Sequence, residues 1–139
     1  MVTEQLRAIG HTNVTAAHAS TLELTTDSWL TPAGDCIVGI EASKAPAEFS
    51  PSFIQACQNT GARIVLTLSV DSKNETIVGH GHPDLTFTDS RSMVVRTSEY
   101  IDDRTVMVGA NKAAGDLDRD LVSALQSGIE LTAKFNVEP

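Results

Sequence analysis

The sequence predicts an α+β, β-rich fold: an internally duplicated, pseudo-twofold, barrel-like domain with two helices packed outside it. Three observations predict it. A shift of about 71 residues lays Gly10-His11-Thr12-Asn13-Val14-Thr15 on Gly81-His82-Pro83-Asp84-Leu85-Thr86 and sets Trp29 on Tyr100. Period-two alternation of apolar residues, the mark of a half-buried strand, recurs at matching places in the two halves. A helix start signal follows in each half, Ser50 before Pro51 and Asp118 before Arg119.

The register that pairs the glycine-histidine motifs also lays Leu22-Glu23-Leu24 on Met93-Val94-Val95. Around Pro32-Ala33-Gly34 the first copy carries about three extra residues, and beyond them the offset is about 68. Val38-Gly39-Ile40-Glu41-Ala42-Ser43-Lys44-Ala45 then lies on Val106-Met107-Val108-Gly109-Ala110-Asn111-Lys112-Ala113, and 61–70 overlays 128–137. Stretches in the same order, separated by one small gap, make two repeats of about 1–70 and 71–139.

The elements follow from these patterns. In the first copy strands are expected at 2–9, 13–17, 20–26, 36–42 and 62–70, with a helix at 51–59. In the second they are expected at 75–81, 84–88, 92–97, 104–110 and 129–137, with a helix at 119–127. Val38, Ile40 and Ala42 form one apolar face, as do Val106, Val108 and Ala110. Phe49 on Ile54 and Leu117 on Val122 have the spacing of hydrophobic staples. Gly61 and Gly128 are expected to close the helices. Asp71-Ser72-Lys73-Asn74 reads as the turn joining the copies.

Up to ten strands and two helices predict a closed or nearly closed barrel. Neither half buries its own sheet face well, so residues 1–139 are expected to form one domain. Gly34-Asp35 before an apolar strand, then helix and strand, resembles the duplicated cradle-loop and double-psi barrels.

Composition narrows the function. The net charge of −8 argues against nucleic-acid binding through bulk electrostatics, which needs a basic face. No apolar run approaches the ~18 residues that span a bilayer, and the first residues lack the blocks of a signal peptide. A cytoplasmic protein is expected. Cys36 and Cys57 have no paired or CxxC spacing, and Cys57 falls in a helical pattern as a small buried hydrophobe.

Chemistry must be assembled from scattered residues, since no Ser–His–Asp signature, phosphate loop, zinc finger or RNA-recognition motif is present. The insertion Thr31–Cys36 breaks the repeat, and Arg104 stands where Cys36 does. Asp35 and Cys36 are therefore catalytic candidates, against the plainer reading of a tight turn with the thiol facing inward. A neighbouring carboxylate raises a thiol pKa, so Cys36 is not activated by Asp35. His11 and His18 are further candidates, although His11 and His82 also suit the holding of the Asn13 and Asp84 turns. Glu23 sits where the second copy has Val94, which makes it a candidate acid or base.

Lys44 and Lys112 each follow a strand and precede a helix start, where free N–H groups favour an anion. The same lysines also suit bonding to strand-end carbonyls. Arg91, Arg96 and Arg104 replace Ser20, Thr25 and Cys36 and suit either an anion pocket or pairing with Asp89, Glu99, Asp102 and Asp103. His80 and His82 alternate as metal ligands do, but no third ligand is identified and no metal or other cofactor is expected.

Gly10-His11-x-Asn13-Val14-Thr15-Ala16-x-His18 with Leu30-Thr31-x-x-Gly34-Asp35-Cys36-Ile37 resembles the archaeal family catalogued as domain of unknown function 371. So do Arg91-Ser92-Met93-Val94 and the run from Arg104 to Arg119, so that the likeness covers nearly the whole chain. The resemblance implies an archaeal cytoplasmic protein and carries over no catalytic residues. Two readings of function stand from sequence. One is a site that binds or acts on a small anionic metabolite or nucleotide, and the other is a non-catalytic protein or RNA interaction module.

Overall fold

A computed structural model describes residues 1–138 and contains eight strands and two α-helices among them. The strands are β1 Val2–Ile9, β2 Thr21–Thr25, β3 Ile37–Gly39, β4 Arg63–Val70, β5 Lys73–His80, β6 Ser92–Arg96, β7 Thr105–Met107 and β8 Glu130–Glu138. The helices are α1 Pro51–Cys57 and α2 Arg119–Gln126, each preceded by a single 3₁₀ turn at Pro46–Glu48 and Ala114–Asp116. No helix among the described residues is long and apolar enough to cross a membrane.

Two four-stranded sheets carry the core. One has the order β1-β8-β4-β5, all antiparallel; the other has the order β3-β2-β6-β7, antiparallel at its centre and parallel at its flanks. Both orders read the same when the halves are exchanged. In β4 and β8 alternate residues Ile64, Leu66, Leu68 and Leu131, Ala133, Phe135 are buried, as period-two strands require. Phe49, Phe53, Phe87 and Phe135 pack their rings with centroids 5.6–6.3 Å apart, bringing α1 and the segment around Phe87 onto the first sheet.

Neither sheet closes into a barrel, which corrects the expectation of closure. Among the described residues the sheet edges meet through the isolated pairs Ile9 with Ile40 and His80 with Val108, with single bonds from Ser43 N to Arg7 O and from Asn111 N to Val78 O beyond them. The reason is local: Glu41 and Gly109 follow those pairs with φ of 52° and 58°. The left-handed conformation turns the chain away before a ladder can extend. It also shortens the strands expected at 36–42 and 104–110 to three residues each.

The strands expected at 13–17 and 84–88 are absent. Val14, Ala16, Leu85 and Phe87 are buried in alternation, which imitates a strand. Ala16 and Phe87, however, have φ of 46° and 53°, and no ladder survives that geometry. These segments are held instead by side chains from the helices: Gln58 Nε2 donates to Leu85 O and Gln126 Nε2 to Val14 O, each at 2.8 Å. Gln126 thus reaches into the opposite half, as does Arg119, whose Nη1 donates to Ala16 O at 3.1 Å.

Helix starts follow the sequence closely. The Ser50 hydroxyl accepts from Phe53 N and the Asp118 carboxylate from Asp120 N. Gly128 follows α2 with φ of 80° and its N–H donates to Leu125 O. Gly61 does not close α1, which ends three residues earlier at the Gln58 cap. There Asn59 Oδ1 accepts from Gly61 N, so an Asx turn replaces a glycine cap. The joining turn is also tighter than expected: Val70 pairs with Lys73, and Asp71 bends at φ 59°.

Candidate functional site

The site begins at the centre of the second sheet. Strands β2 and β6 lie side by side with Glu23 opposite Val94. Outside them, Glu23 N donates to Cys36 O and Val94 N to Arg104 O, each at 2.8 Å. The repeat mismatches Glu23/Val94 and Cys36/Arg104 are therefore neighbours along one seam. Leu22 and Leu24 point into the core, and strand alternation turns Glu23 to the opposite face.

Glu23 is only 13% exposed. Burial pushes its carboxyl above the usual value, and the charge of Arg104, with Nη1 3.8 Å away, offsets this only in part. Cys36 Sγ donates to Glu23 Oε1 at 3.6 Å. Burial first, and the Glu23 charge second, push that thiol up to about 11. Cys36 is accordingly held as the neutral thiol near pH 7, the less nucleophilic form. Cys57 is fully buried and pushed up by burial to about 12.

Arg91 lies on the same face. Its Nε and Nη2 hold both oxygens of Asp27 at 2.7–3.0 Å, and its side chain remains 62% exposed. This bidentate bond holds Asp27 below the usual carboxylate range. Arg104 Nη2 lies 3.3 Å from Asp102 Oδ2, which also accepts from Arg96 Nη2 at 3.0 Å. Burial would raise the Asp102 carboxyl, but the hydrogen bond from Arg104 N and the two guanidiniums outweigh it and lower it. Glu23, Asp27, Trp29, Ile37, Arg91 and Arg104 surround a cleft of about 260 Å³, with Asp89 and Ser92 completing its wall. A larger cleft of about 340 Å³ between Met1, Ala56 and Val137 has Glu138 as its one titratable side chain and offers less chemistry.

Other sequence candidates fall elsewhere. Arg96 is buried, donates from Nε to Thr105 Oγ1 and lies 4.8 Å above the Tyr100 ring, so it braces the β6–β7 loop. Lys44 and Lys112 do not line the cleft. Lys44 Nζ lies 2.5 Å from Glu4 Oε2, and Glu4 Oε1 accepts from Ser50 N at 2.8 Å. In the other half Lys112 Nζ lies 3.7 Å from Glu75 Oε1, which accepts from Asp118 N at 3.1 Å. The anion expected between a lysine and a helix start is thus a glutamate of the chain itself, not a strand-end carbonyl.

The histidines act on backbone. His11 Nδ1 accepts from Asn13 N at 2.9 Å and His82 Nδ1 from Asp84 N at 3.0 Å. His18 Nδ1 accepts from Ser20 N and Thr21 N, and Asp89 Oδ2 accepts from Arg91 N and Ser92 N at the equivalent place. Asp35 contributes its carbonyl to Ala17 N and His18 N, which ties the inserted loop down. His80 ends β5 with Nε2 3.2 Å from Glu99, and His82 lies beyond the strand, so the two do not share a strand face. No group of three His, Cys, Asp or Glu side chains among the described residues is placed to hold a metal.

Sequence reasoning missed Asp27 and Trp29 as members of the site and Glu4 and Glu75 as the lysine partners. Glu4 and Glu75 share the repeat offset, so a signal existed. Asp27 gave none, because its partner Arg91 lies across the sheet.

A family model described as "Domain of unknown function (DUF371)" matches residues 6–138. An uncharacterised protein of Methanocaldococcus jannaschii is 42% identical over 132 residues, covering 95% of this chain and 97% of the relative.

Proposed function

The chain belongs to the family of the domain of unknown function 371, and we propose that it binds a small anionic metabolite in the cleft between Glu23, Arg91 and Arg104. The observation that carries this reading is the meeting of Glu23 and Arg104, where the halves differ, at a cleft that Arg91 also lines, with the Cys36 thiol bonded to Glu23. Each guanidinium has five N–H donors, and neither spends all of them on its carboxylate. A ligand carboxylate or phosphate would take the remainder.

Glu23 sets the pH dependence of such binding. An anion beside it raises its carboxyl further, so binding draws a proton onto Glu23. Affinity falls as pH rises through the already raised value. Whether the ligand is turned over depends on that same proton, since Glu23 is the group at this cleft with an acid's or base's perturbation.

A thermal-shift screen of phosphorylated and carboxylated metabolites tests the reading. A ligand at about 100 times its Kd adds roughly 2.7 kcal/mol of stability, and Arg104→Ala should abolish the shift. Equal shifts in wild type and Arg104→Ala would place the ligand elsewhere.

The exposed Trp29 and Tyr100 favour a second reading, a non-catalytic protein interaction surface. It predicts a stable complex lost in a Trp29→Ala/Tyr100→Ala variant, with no small-molecule shift. Matched strand orders, lysine–glutamate pairs and glutamine braces also support reading the halves as diverged copies folded as one domain.

A further inference from the structure

Resting on the anion-binding reading of this cleft, we infer that its ligand carries a planar base, and that the site takes a nucleoside monophosphate with the base against Trp29. The two repeat-equivalent aromatics supply the argument. Tyr100 has a partner of its own, the Arg96 guanidinium 4.8 Å from the ring centroid. Position 25, equivalent to Arg96, is a threonine whose hydroxyl accepts from Asp27 N. Trp29 therefore has no arginine from β2, and it is the one tryptophan in the chain.

Trp29 is 59% exposed and lines the cleft together with the apolar side chain of Ile37. An indole left open to solvent at the rim of a charged cleft is a stacking platform without an internal occupant. A base is the flat apolar surface that fits it, and stacking tolerates any base because each has a π-face.

The remaining wall matches the rest of a nucleotide. Arg91 and Arg104 present guanidinium N–H groups to a phosphate. Glu23, mostly buried at the cleft, offers a carboxyl oxygen to an N–H edge. A cleft of about 260 Å³ is small, below the roughly 300–1,000 Å³ usual for ligand pockets. It suits a monophosphate only partly enclosed rather than a longer polyphosphate. The acids Asp27 and Asp89 also favour the smaller charge, since each added phosphate meets their repulsion.

Tryptophan emission tests this directly, because Trp29 is the sole source. Titration with AMP, GMP, CMP and UMP should give a saturable change with at least one of them. Ribose 5-phosphate, which has the phosphate and no base, should bind about tenfold or more weakly. By calorimetry, Trp29→Ala should weaken nucleotide binding to the ribose 5-phosphate level and leave ribose 5-phosphate itself unchanged. Equal affinities for nucleotide and ribose 5-phosphate in wild type, lost together in Arg104→Ala, would overturn the base platform and leave the anion cleft standing. Nucleotide binding undiminished in Arg104→Ala would overturn the cleft reading instead, and the absence of any emission change or heat with all four nucleotides would overturn this inference.

Discussion

Two regions of this molecule treat the same pseudo-symmetry in opposite ways. At the helix starts, Lys44, Glu4 and Ser50 in one half match Lys112, Glu75 and Asp118 in the other, contact for contact. At the β2–β6 seam, Glu23 faces Val94 and Cys36 corresponds to Arg104, so that a carboxyl and a guanidinium meet at one cleft with a thiol bonded to the carboxyl. Where the contacts repeat, the chain satisfies its own polar groups. Where they diverge, polar groups with incomplete internal partners face solvent. Function is sought at the second kind of place because a ligand can add something there.

The matched region is where a substitution should do most damage, and equally in both halves. A Cβ on Gly10 would meet Leu125 O at 1.9 Å, and one on Gly81 would meet Cys57 O at 1.9 Å. Both obstacles are backbone, which no rotamer change relieves. Gly10→Ala and Gly81→Ala should each cost about 3 kcal/mol or more, measured by denaturant unfolding. A clear inequality between them would show that the halves are not equivalent where they look most alike.

The lysine–glutamate pairs come next and should show a graded difference. Glu4 is 6% exposed and holds Lys44 closely, whereas the Lys112–Glu75 contact is longer. Removing Glu4 strands a half-buried N–H at Ser50 and a partly covered ammonium. Glu4→Ala should cost about 2–3 kcal/mol and Glu75→Ala about 1–2 kcal/mol. Equal losses would mean that the ion pair matters less than the capped backbone N–H.

At the divergent seam the expected effects are smaller and depend on pH. The folded-state carboxyl of Glu23 is raised above 4.5, so the folded protein holds that proton more tightly than the unfolded chain does. Its ionisation therefore costs stability, a cost absent below 4.5 and complete above the raised value. Glu23→Gln should gain on wild type as pH rises through that window and show little difference below it. Asp27 and Asp102 behave oppositely: their lowered carboxyls contribute stability that is complete above 3.8 and lost as pH falls through their folded values. Glu23→Gln should also speed alkylation of Cys36, because the charge that helps raise the thiol is gone. Unchanged labelling would leave burial as the whole cause.

The smallest effect should come from exchanging the two halves' solutions to one task. His18 Nδ1 and Asp89 Oδ2 each accept two backbone N–H groups at equivalent turns. His18→Asp should therefore stay within about 0.5 kcal/mol of wild type by thermal melt, while His18→Ala should lose more.

Much of this was legible along the chain. Helix starts and the long strands were readable because capping and alternation are local and are written in adjacent residues. The strands expected at 13–17 and 84–88 were misread because burial in alternation does not require an extended backbone. Left-handed turns at Ala16 and Phe87, residues that rarely adopt them, left no mark in composition. The site was half legible: repeat mismatches picked out Glu23, Cys36 and Arg104, but Lys44, Lys112 and Arg96 proved to have partners inside the fold.

By itself the sequence determined the helix boundaries within a few residues and the positions at which its two similar halves differ, all properties of short-range spacing. Only the tertiary structure decided that the sheets stay open, since two isolated edge pairs and the turns at Glu41 and Gly109 are settled between distant segments. It alone decided as well which charges are spoken for. Whether an arginine or lysine is free depends on which carboxylate the fold brings within about 4 Å, and Arg91 finds Asp27 across a sheet while Lys44 finds Glu4 from the first strand.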